Sequence, residues 1–506
     1  MQLRLDGIMR SKLKSLFLMP DRINILIISL FFIACTFFSA LIPPFQSPDE
    51  YDHIKRSYLL SKGTIILNHP QGQSSGGMID SGLLAYMNAY PVTSDKLSSS
   101  TIDSADCITW TGIKIFSPAP GTGYYFPLIY MPQATGLAIG EKLGLTIDSS
   151  YRLARLITLI AVAGIILAAF SVYPVNPLVV ALIVMPMSMF QFSSASLDGI
   201  STGLSIFSIA AFLKIGTDKE KASRWLFYAL TTSVILLATS RVHLLPLLAL
   251  VLIPCFYFKK KKYYFVFSFS LLAVLAWLII AIKTTVDLRV VIAAPTLSIA
   301  LFYINHPMAF ARVLLATLSD GHVITFYYHS FFGILGWLDT PFRSEIYDYL
   351  LDCFALIGLL SISTRSIKKD WAPRSLLIVL SFSSILLIFF ALLVTASPHP
   401  ATIISGVQGR YFLVPVIMLA YAISGNLKLD QGAFRKIALL FCIALFVFTI
   451  SGTTKLLLDR YYLVFKQPKR ISLSIHPSDP VQWGGKGVGR NLGDVIHIGQ
   501  LQGSSS

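Results

Sequence analysis

The chain has 506 residues, of which 55% are hydrophobic and only 13% are charged, whereas roughly a quarter of the residues of a soluble protein are charged. This depletion of charge, together with several apolar runs of about 20 residues, excludes a soluble globular protein and indicates several membrane spans. The net charge of +16 does not indicate a nucleic-acid partner, because the basic residues form short clusters between apolar runs rather than one basic face.

The first apolar run, 25–42, is too long for the core of a cleaved signal peptide and lacks a small-residue cleavage site, so we expect an uncleaved anchor. After it, basic clusters alternate with apolar runs, and the positive-inside bias predicts that every cluster is cytoplasmic. The clusters are Arg4/Arg10/Lys12/Lys14/Arg22, Lys214/Lys219/Lys221/Arg224, Lys259 to Lys262, Arg365/Lys368/Lys369/Arg374 and Lys428/Arg435/Lys436.

The segment 125–143 is apolar, but it contains Pro127 and Pro132, and as a span it would place the cluster around Lys214 outside. We therefore expect a helix that lies along the outer surface or dips into it. The remaining runs predict an all-α polytopic protein of about eleven transmembrane helices, with the N-terminus inside and the C-terminus outside. The predicted spans are 25–42, 151–172, 177–195, 199–214, 225–239, 244–258, 263–282, 346–363, 375–396, 410–424 and 437–453.

This topology divides the chain into a transmembrane domain, 1–455, and a C-terminal tail, 456–506, that lies outside. Within the domain, the first outer loop covers 43–150 and the second covers 283–346. Polar residues that need an explanation are concentrated at the outer ends of the predicted spans.

The segment Pro43 to His53 follows the first span and reads PPFQSPDEYDH. Two prolines stop the span, and Pro48 favours a new helix whose first turn contains Asp49 and Glu50, where the helix dipole stabilises carboxylates. Asp49 and His53 are four residues apart and would share one helix face. The residues are consistent with an acidic first turn of a surface helix or with a general base held at the membrane surface.

Four further residues stand out between later spans. Asp198 is a lone carboxylate between apolar helices, which indicates either a functional site or a solvated helix cap. Arg241 and Arg410 lie at outer helix ends against the positive-inside bias, and either contact phosphate or snorkel to lipid headgroups. His243 follows Arg241 closely and is typical of a packed histidine. In the second outer loop, Trp337 and Asp339 accompany aromatic residues typical of an interfacial belt.

Several short motifs lie along the chain at the outer ends of the spans. They are PPF-x-x-PDE-x-x-H at Pro43–His53, Tyr125-x-Pro127 with Pro132 and Arg155, Asp198, Gly333-x-x-Gly336-Trp337-Leu338-Asp339, and Gly406-Val407-Gln408-Gly409-Arg410-Tyr411. Together these motifs resemble a bacterial inner-membrane family catalogued as a domain of unknown function, which is similar in turn to the GT-C glycosyltransferases. The resemblance covers roughly residues 25–450, and the length and layout also resemble the phage-type serotype-converting glucosyltransferases of enteric bacteria.

The resemblance implies a GT-C-like fold with periplasmic juxtamembrane helices and an inverting sugar transfer at the periplasmic face of the inner membrane. The donor would be a polyprenyl-phosphate sugar, with glucose as the expected sugar, and the acceptor a lipid-linked O-antigen glycan. A flippase and a donor synthase would be functional partners. Some GT-C enzymes use a divalent metal and others do not, and no dedicated ligand cluster is evident in the sequence.

The same resemblance implies roles for individual residues. Asp49 corresponds to the acidic residue that takes a proton from the acceptor hydroxyl, with Glu50 beside it, and Asp198 corresponds to the second acidic position. Arg241 and Arg410 are candidates for binding the donor phosphate. The remaining candidates for substrate binding are His53, His243, Trp337 and Asp339.

Two other functions stay open. An O-antigen polymerase also has many spans and large outer loops. A flippase or transporter of polyprenyl-linked glycans would be expected to contain internal repeats and paired broken spans, and no repeat is evident in the sequence. The formation of a new glycosidic bond separates the enzymes from a transporter.

Overall fold

The computed structural model describes residues 22–91, 99–289, 295–425 and 433–462. These residues are mostly helical and belong to one compact unit that reaches Leu463; a second unit, Val464–Ser506, is outside the described residues. Also outside the described residues are most of the predicted tail, the basic residues that precede Arg22, and the single residue Lys428.

The α-helices follow one another along the whole described chain. They are α1 (Arg22–Leu41), α2 (Glu50–Ser61), α3 (Ser81–Ala89), α4 (Ser99–Asp106), α5 (Met131–Lys142), α6 (Ile147–Val172), α7 (Pro177–Val184), α8 (Pro186–Phe192), α9 (Leu197–Asp218), α10 (Arg224–Ser240), α11 (Ala249–Phe258), α12 (Lys261–Thr284), α13 (Thr296–Asn305), α14 (Pro307–Ser319), α15 (Gly321–Phe332), α16 (Ser344–Ser361), α17 (Thr364–Lys369), α18 (Trp371–Thr395), α19 (Leu413–Ile423) and α20 (Ala433–Tyr461). Short 3-10 helices are Thr122–Tyr124, Pro127–Tyr130, Lys219–Lys221, Val242–Leu248 and Gly409–Phe412.

Six of the described helices are long and apolar enough to cross a membrane, and a seventh crossing results if one bent helix pair counts as a span. The protein is therefore a multi-pass membrane protein. The six helices are α1, α6, α9, α12, α18 and α20. Each matches a predicted span, although α20 extends to Tyr461 and so passes through the predicted domain boundary at 455.

The other predicted spans are shorter or interrupted. The stretch 177–195 forms two helices, α7 and α8, because Pro186 lacks an N–H and its ring disfavours a continuous helix. Every residue of both helices is buried, as expected for segments that are apolar on all sides. Four more predicted spans depart from a long, regular apolar helix. Helix α10 has only 17 residues and α19 has 11. The stretch 244–258 begins as a 3-10 helix, and α16 carries three carboxylates.

The second outer loop, predicted as a loop, is largely helical. Helices α13 and α14 meet at 99° at His306 and Pro307, and this pair is the bent element that could count as a broken span. Helix α15 follows, and a short antiparallel pair of strands, β3 (Ile334–Leu335) and β4 (Thr340–Pro341), leads into α16. The missing N–H of Pro307 explains why the helix breaks there.

The first outer loop folds as a compact layer against the helices. Strands β1 (Gly76–Asp80) and β2 (Lys114–Pro118) pair antiparallel, with Gly76 opposite Pro118 and Asp80 opposite Lys114. The predicted surface or re-entrant segment contains α5, whose 12 residues are too few for a span of about 20. Helix α5 packs closely on α6 because Gly136 lacks a Cβ, which would otherwise lie 2.4 Å from the Cα of Ala154.

Arginine contacts define the two ends of the helix bundle. At one end, called here the Asp49 end, α1 finishes and α6, α9 and α19 begin. At the opposite end of α19, Arg374 donates to the carbonyl oxygens of Tyr421, Ala422 and Ser424 at 2.8 to 3.0 Å. These bonds satisfy carbonyls that a helix terminus leaves free. Arg374 belongs to one of the predicted cytoplasmic clusters and lies at the end opposite Asp49.

Candidate functional site

The site begins where α1 gives way to α2. Asp49 is the residue before α2, one position earlier than the sequence suggested, and it adopts a left-handed conformation with φ 63°. This conformation costs a non-glycine residue on the order of 1–2 kcal/mol, so the surrounding structure must hold it. The Asp49 side chain makes no capping bond to the helix and turns instead toward Arg410.

Four predicted residues form one chain of ion pairs at the Asp49 end. Arg410 donates from Nη2 to Asp49 Oδ2 at 2.7 Å and from Nη1 to Asp198 Oδ2 at 3.1 Å. The other oxygen of Asp198 accepts from Arg241. Two carboxylates and two guanidinium groups therefore alternate, although they come from widely separated parts of the chain. The side chain of Arg410 is only 2% exposed, which makes these charge-assisted bonds strong.

Asp49 differs from the other three residues of these ion pairs because 43% of its side chain remains exposed. Burial raises its pKa, but the charge and hydrogen bond of Arg410, together with His53 and Arg289, outweigh burial and lower the pKa to about 2. The carboxylate is therefore ionised at neutral pH. It presents a fixed negative charge to whatever occupies the space in front of it.

That space is a cavity of about 910 Å³, within the range of roughly 300–1,000 Å³ that small-molecule sites occupy. Its walls are the start of α2, the segment 120–125, the end of α12 with the residues after it, and the end of α18. A second cavity of about 30 Å³ lies behind the ion pairs and is lined by Asp198, Arg241, His243 and Arg410. The smaller cavity holds little more than one water molecule.

His53 lines the large cavity next to Asp49, as its four-residue spacing predicted. Its Nδ1 lies 2.8 Å from the hydroxyl oxygen of Tyr130. Burial lowers the pKa of His53 to about 3; Asp49 opposes this shift, and the charges of Arg241 and Arg410 add to it. The imidazole is therefore neutral and can exchange hydrogen bonds, but it does not provide a cation for a phosphate.

Four charged residues of the large cavity, Asp52, Lys283, Asp287 and Arg289, were not singled out in the sequence. Asp52 lies one turn along α2 from Asp49, and Asp287 and Arg289 follow the end of α12. Arg289 pairs with Asp287 at 2.7 Å and approaches Asp52 at 3.5 Å. The three-residue spacing of Asp49 and Asp52 was the available signal, because such residues share a helix face.

Asp52 has a different electrostatic environment from Asp49. Burial raises its pKa to about 6, and the negative charges of Asp49 and Asp287 act in the same direction against Lys55 and Arg289. Asp52 therefore changes its charge near neutral pH, whereas Asp49 does not.

Glu50, the third predicted carboxylate, points away from the cavity and is completely buried. It accepts from Arg155 at 3.0 and 3.1 Å, from the hydroxyl of Tyr151 at 2.8 Å and from the backbone N–H of Ala195 at 2.8 Å. Arg155 also donates to the carbonyl oxygen of Ile42 at 2.8 Å. This ion pair ties the first outer segment to α6.

Trp337 and Asp339 are not part of the cavity wall. The indole N–H of Trp337 donates to the carbonyl oxygen of Phe45 at 2.9 Å, so the β3–β4 turn braces the segment before Asp49. Asp339 pairs with Arg460 of α20 at 2.8 Å. The nine candidates therefore form three groups. Two line the large cavity, four surround the smaller cavity behind it, and three make supporting contacts. The groups are Asp49 and His53; Asp198, Arg241, His243 and Arg410; and Glu50, Trp337 and Asp339. Within the described residues, no group of three or more His, Cys, Asp or Glu side chains is arranged to hold a metal ion.

Comparison with known proteins gives one match. Residues 30–420 match the model of a family described as predicted membrane protein (DUF2142). Neither a curated protein nor a solved structure matches the chain. The family match confirms the membrane-protein part of the resemblance and leaves glycosyl transfer as a prediction. Because the match covers most of the chain, this protein belongs to the DUF2142 family of predicted membrane proteins.

Proposed function

We propose that this protein is an inverting, GT-C-like glycosyltransferase of the bacterial inner membrane. It transfers a sugar, glucose in our proposal, from a polyprenyl-phosphate donor to a lipid-linked O-antigen glycan at the periplasmic face. The observation that carries the proposal is the position of Asp49. This ionised carboxylate follows the first span and opens into a cavity large enough for a sugar.

The cavity wall fits a substrate that remains attached to lipid. Ile282 and Lys283 come from the end of α12, and Leu392 and Thr395 come from the end of α18. Both helices are membrane-span candidates and expose large apolar side chains such as Phe269 and Phe382. A polyprenyl tail can therefore lie against these helices in the bilayer while its sugar enters the cavity.

The charges of the cavity fit a phosphate leaving group. Lys283 and Arg289 are cations of the wall, and Arg410 lies directly behind Asp49. Preorganised cations stabilise the negative charge that develops on a departing phosphate. Arg241 and Arg410 are already paired with carboxylates, so in this proposal they act at the donor by holding Asp49 and Asp198 in place and through their charge.

The proposed topology retains about eleven crossings, with the shorter helices completing the interior and the first outer loop forming periplasmic juxtamembrane helices. Single cysteines near Ser99 and in the tail should react with an impermeant thiol reagent in intact spheroplasts, whereas a cysteine at Lys260 should not. Cys107 is exposed and must first be replaced by serine. Protection of both outer positions would contradict this topology.

A flippase is the second candidate, because the bent pair α13–α14 is the kind of broken helix that transporters use. The test is an assay of the purified protein in proteoliposomes with undecaprenyl-phosphate-[¹⁴C]glucose and O-antigen linked to polyprenyl diphosphate. We expect label in the glycan. Movement of the label across the bilayer without a new glycosidic bond would indicate a flippase, and unlabelled lengthening of the glycan would indicate a polymerase. Structural analysis of the O-antigen made with and without this gene identifies the sugar and its linkage.

A further inference from the structure

We propose that Asp52 is the residue that removes the proton from the acceptor hydroxyl, while Asp49 stays ionised and orients the acceptor and the donor sugar. This division of roles rests on the proposed glycosyl transfer and refines it. It departs from the sequence-based expectation that Asp49 is the base.

The two carboxylates differ in how strongly neighbouring cations hold their oxygens. Asp49 Oδ2 accepts a charge-assisted hydrogen bond from Arg410 at 2.7 Å, which makes the carboxylate a weak base. Asp52 is held more loosely. Its ion pairs with cations of the described residues are Arg289 Nη1 at 3.5 Å and Lys55 Nζ at 3.8 Å. Asp52 is less exposed than Asp49, 18% against 43%, but it lines the same cavity and its oxygens are held by longer contacts, so it is the stronger base of the two.

Both carboxylates face the same cavity. Asp49 and Asp52 both line the cavity of about 910 Å³ and lie three residues apart at the start of α2. A substrate in this cavity can therefore contact both carboxylates at once. Glu50 lies between them in sequence but has no access to the cavity, because its oxygens are taken by Arg155, Tyr151 and Ala195.

The two carboxylates also differ in the charges that surround them. Asp52 faces Lys55 on its own helix, Arg289 and Asp287 after α12, and Asp49 one turn away. Together with burial, these groups place its pKa at about 6, whereas that of Asp49 is about 2. A general base works best with a pKa near the operating pH. Two neighbouring carboxylates with separated pKa values commonly divide the proton-transfer and electrostatic roles.

The proposed step exchanges one bond at the anomeric carbon for another. The O–H bond of the acceptor breaks and its proton moves to an Asp52 oxygen, while the acceptor oxygen forms a bond to the anomeric carbon of the donor. The bond from that carbon to the phosphate oxygen breaks, and its electron pair leaves with polyprenyl phosphate. The negative charge lost by Asp52 appears on the phosphate, next to Lys283 and Arg289. Asp52 then returns the proton to water.

The test compares Asp52→Asn, Asp52→Glu and Asp49→Asn in the proteoliposome assay with undecaprenyl-phosphate-[¹⁴C]glucose. Asp352→Asn is the matched control, because Asp352 is exposed on α16 and does not line the cavity. We expect Asp52→Asn to lower kcat by about 10²–10⁴-fold, the usual contribution of a general base, with little change in the KM for the donor.

The pH profile supplies an independent readout. Because the base must be deprotonated, the wild-type kcat/KM should rise as the pH increases through about 6. Asp52→Glu should keep part of the activity with a displaced acid limb, whereas Asp52→Asn should lose the limb. If Asp52→Asn does not fold, the position of the limb in Asp52→Glu decides the question. Formate should partly restore transfer by Asp52→Ala, because a small carboxylate fits the open cavity.

Failure of the role of Asp52 and failure of the proposed glycosyl transfer give different results. If Asp52→Asn transfers at the wild-type rate with an unchanged acid limb, Asp52 is not the base, and the proposed function survives with Asp49 in that role. If the wild-type protein forms no labelled glycan, the proposed glycosyl transfer itself is overturned before any variant is compared.

Discussion

Two neighbouring carboxylates, Asp49 and Glu50, belong to different centres of this protein. Glu50 is completely buried and surrounded by donors from Arg155, Tyr151 and Ala195, so no oxygen remains for a ligand. Asp49 has one strong partner, Arg410, and keeps 43% of its side chain exposed to the cavity. The comparison shows that the number of unoccupied lone pairs, rather than charge alone, separates a structural carboxylate from a candidate catalytic one.

The largest expected effect tests the structural centre. Arg155→Met leaves Glu50 buried without its counter-ion, which should destabilise the protein by about 3–5 kcal/mol. Loss of the folded protein from the membrane, or a markedly lower Tm in detergent, would show this. Arg152→Met is the matched control on the same helix. Arg152 pairs with Asp148 but is 47% exposed, so we expect a change of at most about 1 kcal/mol.

The second prediction tests the cavity centre. Asp49→Asn retains the size of the side chain and can still accept a hydrogen bond from Arg410, so the protein should fold. It removes the negative charge that orients the acceptor and the donor sugar, and glucose transfer should fall by about 10²–10³-fold at matched membrane levels, the usual cost of losing one preorganised electrostatic group. At matched levels Glu50→Gln should transfer more than Asp49→Asn, because its effect is on folding. Full activity in Asp49→Asn would remove this carboxylate from the mechanism.

A smaller effect is expected for the arginines. Arg410→Ala removes charge-assisted bonds worth about 1.5–3 kcal/mol each, so transfer should fall roughly 10- to 100-fold. Without Arg410, burial should raise the pKa of Asp49 from about 2, so the pH profile should gain an acid limb from Asp49 in addition to the limb from Asp52 at about 6. Arg410→Lys should restore only part of the activity, because lysine cannot bridge Asp49 and Asp198 with a planar fork. Normal transfer in both Arg410→Ala and Arg241→Ala would indicate that these residues anchor the helices only.

The smallest effect is expected at Trp337. Trp337→Phe removes the hydrogen bond to the carbonyl oxygen of Phe45 and should lower the stability by about 1 kcal/mol. Thermal unfolding in detergent measures this change. The transfer rate per folded molecule should stay the same, because Trp337 is not part of the cavity wall. A raised KM for the acceptor would instead support the sequence-based expectation that Trp337 binds substrate.

The cluster of Asp49, Asp198, Arg241 and Arg410 was accessible from the sequence, because hydropathy and the positive-inside bias assign all four to the same side of the membrane. The role of Glu50 could not be predicted from the sequence. Its partner Arg155 is distant in the chain, and Glu50 and Asp49 are adjacent, so their spacing does not separate their roles. Asp52 was overlooked although it lies on the same helix face as Asp49. Its value as a base depends first on its burial and then on neighbours such as Arg289 and Asp287, and both arise only in the folded protein.

The helices, like the site, could be predicted only in part from the sequence. Long apolar runs identify α1, α6, α9, α12, α18 and α20 directly. Hydropathy alone cannot show that Pro186 breaks 177–195 into two buried helices, or that the second outer loop folds into α13, α14 and α15. These features depend on tertiary partners that satisfy or replace the backbone hydrogen bonds which proline removes.

The burial of α7 and α8 has a consequence for biosynthesis. Helix α7 is surrounded by α16, α19 and α20, all of which are translated after it. Because α7 is apolar on every side, lipid can shelter it until those helices arrive, as chain insertion and helix assembly are separable stages in a bilayer. A nascent chain that stops before Ala433 would leave this surface without its final partner. We therefore expect a chain truncated before Ala433 to be inserted but incompletely assembled, with α20, the last of the described helices, needed to complete the packing around α7.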